Sequence, residues 1–297
     1  MKKRVLGVIF LIVIAVIVIM TWPNSKPTFN ITSRGFANYN NLKPILVNET
    51  TIESDSMIVK KGYLVGTDGK NIPYLLRFPA NVTDKIPGIV FMPGAEVGKE
   101  YEKGIGTALT EKGFAIITID QPGTNENTQQ LMNQDQELIT FKAGGEPSGM
   151  LFVSDYLLAY EYLKQQSFID ENRILLAGES NGGRIAIISS EILTSNQEKV
   201  KGLILISTAG YGLPEVADQT TTNYLRMIDP DYYAQYAGAN SVMFQSTQDK
   251  VISMDSAQRT FNRLPQEKEF VLIPCKQHGS CPEAYDLITS KALKLIS

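Results

Sequence analysis

The sequence predicts an α/β protein: a mostly parallel sheet of about eight strands with helices on both faces, plus an N-terminal transmembrane helix. Three observations carry this. Short, largely apolar runs at residues 88–92, 114–119, 174–177, 200–207, 242–246 and 270–273 have strand length and lack the alternation of a half-exposed strand, as strands covered on both sides do. Stretches with helical patterning separate them, which is the alternation a parallel sheet requires. One of the apolar runs passes through Gly178-Glu179-Ser180-Asn181-Gly182-Gly183 directly into an apolar, helix-like stretch.

From the N-terminus, Lys2, Lys3 and Arg4 precede an Ile/Val-dominated run over residues 5–20, which Thr21 and Trp22 extend. The run reaches about 18 residues, the lower limit for spanning a bilayer. It lacks a small-x-small cleavage site and is longer than the apolar part of a secretory signal. Residues 1–22 therefore read as an uncleaved signal anchor, with the basic end cytoplasmic and Trp22 at the outer interface. Secretion after cleavage is the alternative. The rest of the chain is then expected outside the cell. Residues 23–55, rich in Asn, Thr, Ser and Pro, read as an extracellular stalk with an end-to-end distance on the order of 30 Å. Asn30-Ile31-Thr32, Asn48-Glu49-Thr50 and Asn81-Val82-Thr83 fit the glycosylation acceptor pattern.

The main domain is expected over residues 56–297. Residues 57–65 and 72–78 flank the turn signal Gly66-Thr67-Asp68-Gly69 and should form an antiparallel hairpin at the sheet edge. Helices are expected at 101–112, at 147–165 with Leu151, Leu157, Leu158, Tyr162 and Leu163 on its apolar face, and at 184–194, 254–264 and 282–296. Two long connections remain, 121–149 and 208–240. Long insertions at the carboxyl edge of such a sheet fall where ligands bind, so both should shape a pocket, the second as a cap. Its tyrosines, Tyr211, Tyr224, Tyr232, Tyr233 and Tyr236, would either touch substrate or only anchor the excursion.

Composition narrows the function. With 297 residues, 43% hydrophobic, the chain can bury a sizeable core in one main domain. A net charge of −3 leaves no broad basic field for a polyanion, so no nucleic-acid partner is expected. No fixed-period repeat is visible, which disfavours a solenoid or propeller. Oligomeric state is not specified by the sequence.

The chemistry centres on Ser180. A sharp turn between a strand and a helix lifts a serine hydroxyl above the sheet edge, and the small flanking residues let the two elements approach. A hydroxyl is a poor nucleophile at neutral pH, so it needs a base, an orienting acid and an oxyanion site. His278, the only histidine in the chain, follows the last strand-like run and is the candidate base. Asp249, just after the run 242–246, is the candidate acid, with Asp255 its main competitor. Cys275 and Cys281, the only two cysteines, flank His278 and can form a disulfide in an oxidising compartment. Two unpaired thiols are the alternative. A metal site is disfavoured, since Cys275, His278 and Cys281 supply three ligands with no fourth nearby.

The order Ser180, Asp249, His278 with the strand-turn-helix context resembles the α/β-hydrolase superfamily over residues 56–297, and Ile169-Asp170-Glu171-Asn172-Arg173-Ile174 looks like esterases and dienelactone-hydrolase-like members. The resemblance implies a serine hydrolase acting on a small-molecule acyl substrate, with no cofactor. It also implies an oxyanion hole of two backbone N–H groups: Asn181, and Ala95 or Gly94 in the segment Met92-Pro93-Gly94-Ala95. Pro93 stands where the superfamily often has His. An ester bond is the expected target. A peptidase or thioesterase uses the same machinery, and a catalytically idle domain serving surface interaction is the rival from another class.

Overall fold

The computed structural model describes residues 28–100, 103–265 and 267–297. The expected signal anchor, residues 1–22, lies outside the described residues. Among the described residues no helix is long and apolar enough to cross a membrane.

Residues 28–53, expected as stalk, are instead built onto the domain. β1 (Thr28–Ile31) and β2 (Ala37–Asn40) form an antiparallel ribbon, and β3 (Leu46–Glu53) joins the main sheet. Phe36, Ala37 and Tyr39 are buried, with Phe36 stacked on Tyr233 at 4.5 Å. The Tyr39 hydroxyl donates to Glu146 Oε1 at 2.7 Å. The physical reason is that threonine suits a pleated, half-buried strand even in polar company. Three aromatic or aliphatic side chains then suffice to seat the ribbon.

β4 (Met57–Val65) and β5 (Asn71–Pro79) form the expected hairpin, paired from Met57 with Pro79 to Val65 with Asn71. β6 (Ile86–Met92), α1 (Lys103–Glu111) and β7 (Ala115–Ile119) follow. The connection 121–149, expected as polar and irregular, contains α2 (Gln134–Lys142), started by a capping box between Asn133 and Gln136. α3 (Leu151–Lys164) leads to β8 (Ile169–Glu179), which is longer than the expected 174–177, and then to α4 (Asn181–Ser195). β9 (Gly202–Ile206) precedes the second excursion, with α5 (Gln219–Ile228) and α6 (Pro230–Tyr233). β10 (Asn240–Ser246), α7 (Met254–Arg263), β11 (Lys268–Ile273) and α8 (Tyr285–Ile296) complete the chain.

The main sheet has nine strands rather than eight, in the order β11-β10-β9-β8-β6-β7-β5-β4-β3. Those from β11 to β7 run parallel, while β5, β4 and β3 add antiparallel neighbours at one edge. Each face has its own core. Ile117, Leu176 and Leu205 pack with Tyr156, Tyr160 and Ile188 of α3 and α4, whereas Ile116, Leu175 and Ile204 pack with Ile105, Leu109 and Ile288 of α1 and α8. Successive strand residues point to opposite faces, so covering both faces demands unbroken apolar runs. A fully buried Ile or Leu of this kind is worth about 1.5–3 kcal/mol relative to exposure. The strand order reverses between β6 and β8, and at such a reversal a crevice opens beyond the carboxyl ends of the strands.

Candidate active site

At that crevice β8 turns into α4 through Ser180, whose backbone sits at φ 54°, ψ −115°. This is a sparsely populated region for a residue with a side chain, costing on the order of 1–3 kcal/mol. The surroundings hold it there. The Ser180 N–H donates to Ile206 O at 2.9 Å, and Thr208 Oγ1 donates to Ser180 O at 2.6 Å. Two glycines are required by close approach: a Cβ on Gly178 would lie 2.2 Å from the Gly182 carbonyl carbon, and one on Gly182 would lie 1.9 Å from Met92 O.

Asp249 follows β10 and turns inward. Its Oδ1 accepts the N–H groups of Val251 (2.8 Å) and Ile252 (2.9 Å), and its Oδ2 accepts from Gln245 Nε2 at 3.1 Å. The same Oδ2 lies 2.8 Å from His278 Nδ1, with the aspartate side chain 0% and the histidine side chain 23% exposed. Burial pushes the Asp249 carboxyl upward, but the Ile252 N–H, His278 and the Val251 N–H outweigh it and hold the group below the usual aspartate value. An ionised Asp249 accepts a hydrogen bond from Nδ1–H, which favours the tautomer whose lone pair is on Nε2. Asp255, the competing carboxylate, is exposed in the first turn of α7.

The loop carrying His278 is fastened at several points. Cys275 and Cys281 are joined by a disulfide, as expected, so neither sulfur is available as a metal ligand. Ser246 Oγ bonds Cys275 O, and the Gly279 N–H donates to Ser207 Oγ at 3.1 Å. The Ser280 N–H donates to Glu179 Oε2 at 2.8 Å. Glu179 immediately precedes Ser180, so this bond draws the His278 loop to the same corner of the sheet as the elbow.

The segment after β6 runs alongside: a Cβ on Gly94 would lie 3.5 Å from Ser180 Cβ. Asn181 is the first residue of α4, where a backbone N–H has no partner within the helix. Sequence reasoning missed what secures this region. Gln121, 1% exposed, donates from Nε2 to Pro93 O and to Gly94 O (2.7 Å), and its Oε1 accepts from Asn181 Nδ2 at 3.3 Å. Buried Lys99 braces the far end of the loop, its Nζ 2.8 Å from Asp120 Oδ2. Gln121 was detectable only as a polar residue just beyond the strand beside β6.

A cavity of about 630 Å³ opens next to Ala95, Asn181 and Gln121. Both excursions wall it, with Leu131 and Met132 from the first and Tyr211, Tyr224 and Ile228 from the second. Arg184 lies on its α4 side, stacked over the Tyr211 ring at 4.3 Å. The other cap tyrosines are not part of its wall. Tyr233 is buried and structural, accepting from the Ala37 N–H and donating to Met227 O.

A parallel sheet reversing at an elbow serine, with a histidine-bearing loop held at the same corner, defines a serine hydrolase of the α/β-hydrolase superfamily. The family model of the prolyl oligopeptidase family matches residues 105–285, and the chain belongs to that family. A probable 2-oxo-3-(5-oxofuran-2-ylidene)propanoate lactonase from a Bradyrhizobium species is 25% identical over 166 residues, 56% of this chain. The match spans 61% of that protein's length, less than two thirds. Among solved structures, an acetyl xylan esterase from a Paenibacillus species superposes with a TM-score of 0.68 at 15% identity, covering 83% of this chain and 88% of that one. Acetyl xylan esterase 1 from a Thermoanaerobacterium species gives 0.68 at 16%, covering 87% and 89%. At these identities the two structures bear on the fold alone.

Proposed function

We propose that this protein is a serine esterase working through an acyl-enzyme on a small-molecule ester or lactone. Ser180 Oγ attacks the carbonyl carbon. His278 Nε2 takes the hydroxyl proton and then gives it to the leaving alcohol, while Asp249 keeps the proton-bearing nitrogen facing itself and stabilises the imidazolium. The N–H groups of Asn181 and Ala95 receive the oxyanion, each worth roughly 3 kcal/mol of transition-state stabilisation if well placed. A water molecule, activated by the same histidine, then releases the acid and regenerates Ser180. The observation that carries this reading is the 2.8 Å contact between buried Asp249 and His278 at the corner where Ser180 sits in its strained turn. The largely apolar cavity beside Asn181 would take an apolar part of the ester.

Labelling with a fluorophosphonate probe tests the reading. Folded protein should be labelled at Ser180, and Ser180→Ala should abolish both labelling and turnover; labelling elsewhere, or none, overturns it. Peptide-bond hydrolysis is the second reading, favoured by membership of the prolyl oligopeptidase family. Side-by-side rates on p-nitrophenyl esters and aminoacyl p-nitroanilides separate the two.

The proposal includes location. Lys2, Lys3 and Arg4 ahead of an apolar run support a signal anchor, and the Cys275–Cys281 bridge suits an oxidising compartment outside it. Carbonate extraction and protease accessibility of intact cells test this: the protein should stay with membranes and its hydrolase domain should be digested from outside.

A further inference from the structure

We propose that Glu179 is a positioning residue for His278, fixing the backbone of residues 278–280 and setting a second negative charge beside the imidazole. The inference rests on the reading of His278 as the catalytic base, and its test does not require turnover.

The geometry is specific. Glu179 ends β8, and its Oε2 accepts the Ser280 N–H at 2.8 Å. Its Oε1 occupies the space a side chain on residue 279 would need, 2.2 Å from the position of a Cβ, and Gly279 sits at φ +90°. The loop is thus wrapped around the carboxylate, and a side chain at 279 would displace that carboxylate as well as strain the backbone. The charged groups bearing on Glu179 are His278 and Asp249, one attractive and one repulsive. No lysine or arginine pairs with it among the described residues. Lys276, two residues before His278, and Lys250, next to Asp249, are exposed.

A loop tether alone does not call for an anion. A neutral amide oxygen can also accept an N–H, and desolvating a carboxylate without a cationic partner is unfavourable. Burial accordingly pushes the Glu179 carboxyl above the usual glutamate value, while His278 pulls the other way. The charge becomes favourable when His278 carries a proton, which is the state formed as Ser180 attacks. Asp249, which orients Nδ1, and Glu179, which holds the loop from the other side, then both stabilise the imidazolium.

Because the chain has one histidine, nuclear magnetic resonance reads its titration without ambiguity. Glu179→Gln keeps an acceptor for Ser280 and removes the charge. We expect its histidine midpoint to fall by about 0.5 pH unit or more relative to wild type. The rising limb of kcat/KM against pH should move the same way, with kcat down several-fold. Glu179→Asp keeps the charge and loses the reach; kcat should fall while the midpoint stays near wild type. A Glu179→Gln midpoint within about 0.1 unit of wild type overturns the proposal. If that variant does not fold, wild-type protein decides: the histidine resonance should show a second inflection above pH 4.5, the usual glutamate value, as Glu179 takes its proton. A single inflection there overturns it. Failure of Ser180 labelling would sink the esterase reading and leave this measurement standing.

Discussion

Oδ2 of Asp249 lies 2.8 Å from Nδ1 of His278, and the aspartate side chain has no solvent-exposed surface. Asp249→Asn keeps the shape but presents an amide donor to Nδ1. The ring then turns its proton-bearing nitrogen toward Ser180 and cannot act as a base. In the proposed mechanism kcat falls on the order of 10⁴-fold. The two backbone bonds to Oδ1 remain available, so the melting temperature should move by only a few degrees. Steady-state kinetics on an activated ester with a parallel thermal melt checks both; a variant within tenfold of wild type would remove Asp249 from the mechanism.

Stability should peak on the acid side of neutrality. Burial raises the carboxyl groups of Glu146, Asp155, Glu161, Glu179 and Glu191 in the folded protein. A raised acid binds its proton more tightly folded than unfolded, so its contribution is full below the unfolded value and is lost as pH rises through the folded one. Glu49, Glu126, Asp170 and Asp249 are held low by hydrogen bonds and cations, and their contribution is present above the unfolded value and lost as pH falls through the folded one. Melting temperature should therefore rise from pH 8 toward about 5 and drop below about 4. A monotonic fall from pH 8 to 5 would contradict these assignments.

The disulfide should matter more to rate than to stability. Cys275 and Cys281 are six residues apart, and closing so short a loop is worth about 2 kcal/mol on the chain-entropy model. Yet the bridge spans the segment that presents His278. Reduction, verified by thiol titration, should lower kcat several-fold and the melting temperature by a few degrees. The Cys275→Ser, Cys281→Ser double variant should behave alike. Unchanged turnover after verified reduction would show that Glu179, Ser207 and Asp249 hold the loop unaided.

The parallel part of the sheet was legible because its strands are buried on both faces: β7 and β9 have no exposed residue, so their sequences are apolar but for Thr118. The elbow was legible for a related reason, since the glycines that permit β8 and α4 to touch leave a pattern. β3 was not, because what it buries is partly polar. Its Glu49 accepts from the hydroxyls of Tyr74 and Tyr162, an arrangement no alternation of apolar residues announces. Nor could spacing distinguish the cap tyrosines, of which Tyr211 and Tyr224 wall the cavity and Tyr233 anchors the β1–β2 ribbon. Gln121 and Glu179 lie beside recognisable signals, but nothing in the sequence announces what they hold. Each acts on backbone groups of a segment distant in sequence, and only the folded sheet brings those groups within reach.

Gln121 offers the sharpest test of how the oxyanion loop is held. One Nε2 serves the carbonyls of Pro93 and Gly94, while Oε1 serves Asn181, so a single buried amide ties together both segments proposed to supply oxyanion donors. Gln121→Leu removes the donor to the Pro93 carbonyl, while Gly94 O keeps the Val97 N–H at 3.2 Å, and a displaced oxyanion donor costs about 10²-fold or more in kcat. KM should change far less, because the ground-state carbonyl gains little from that site. Gln121→Glu isolates the donor: it keeps the oxygen facing Asn181 but sets an anion against two carbonyl oxygens. Its loss should equal or exceed that of Gln121→Leu. If Gln121→Glu kept near wild-type kcat, the Nε2 bonds would not be what positions Ala95 for the reaction.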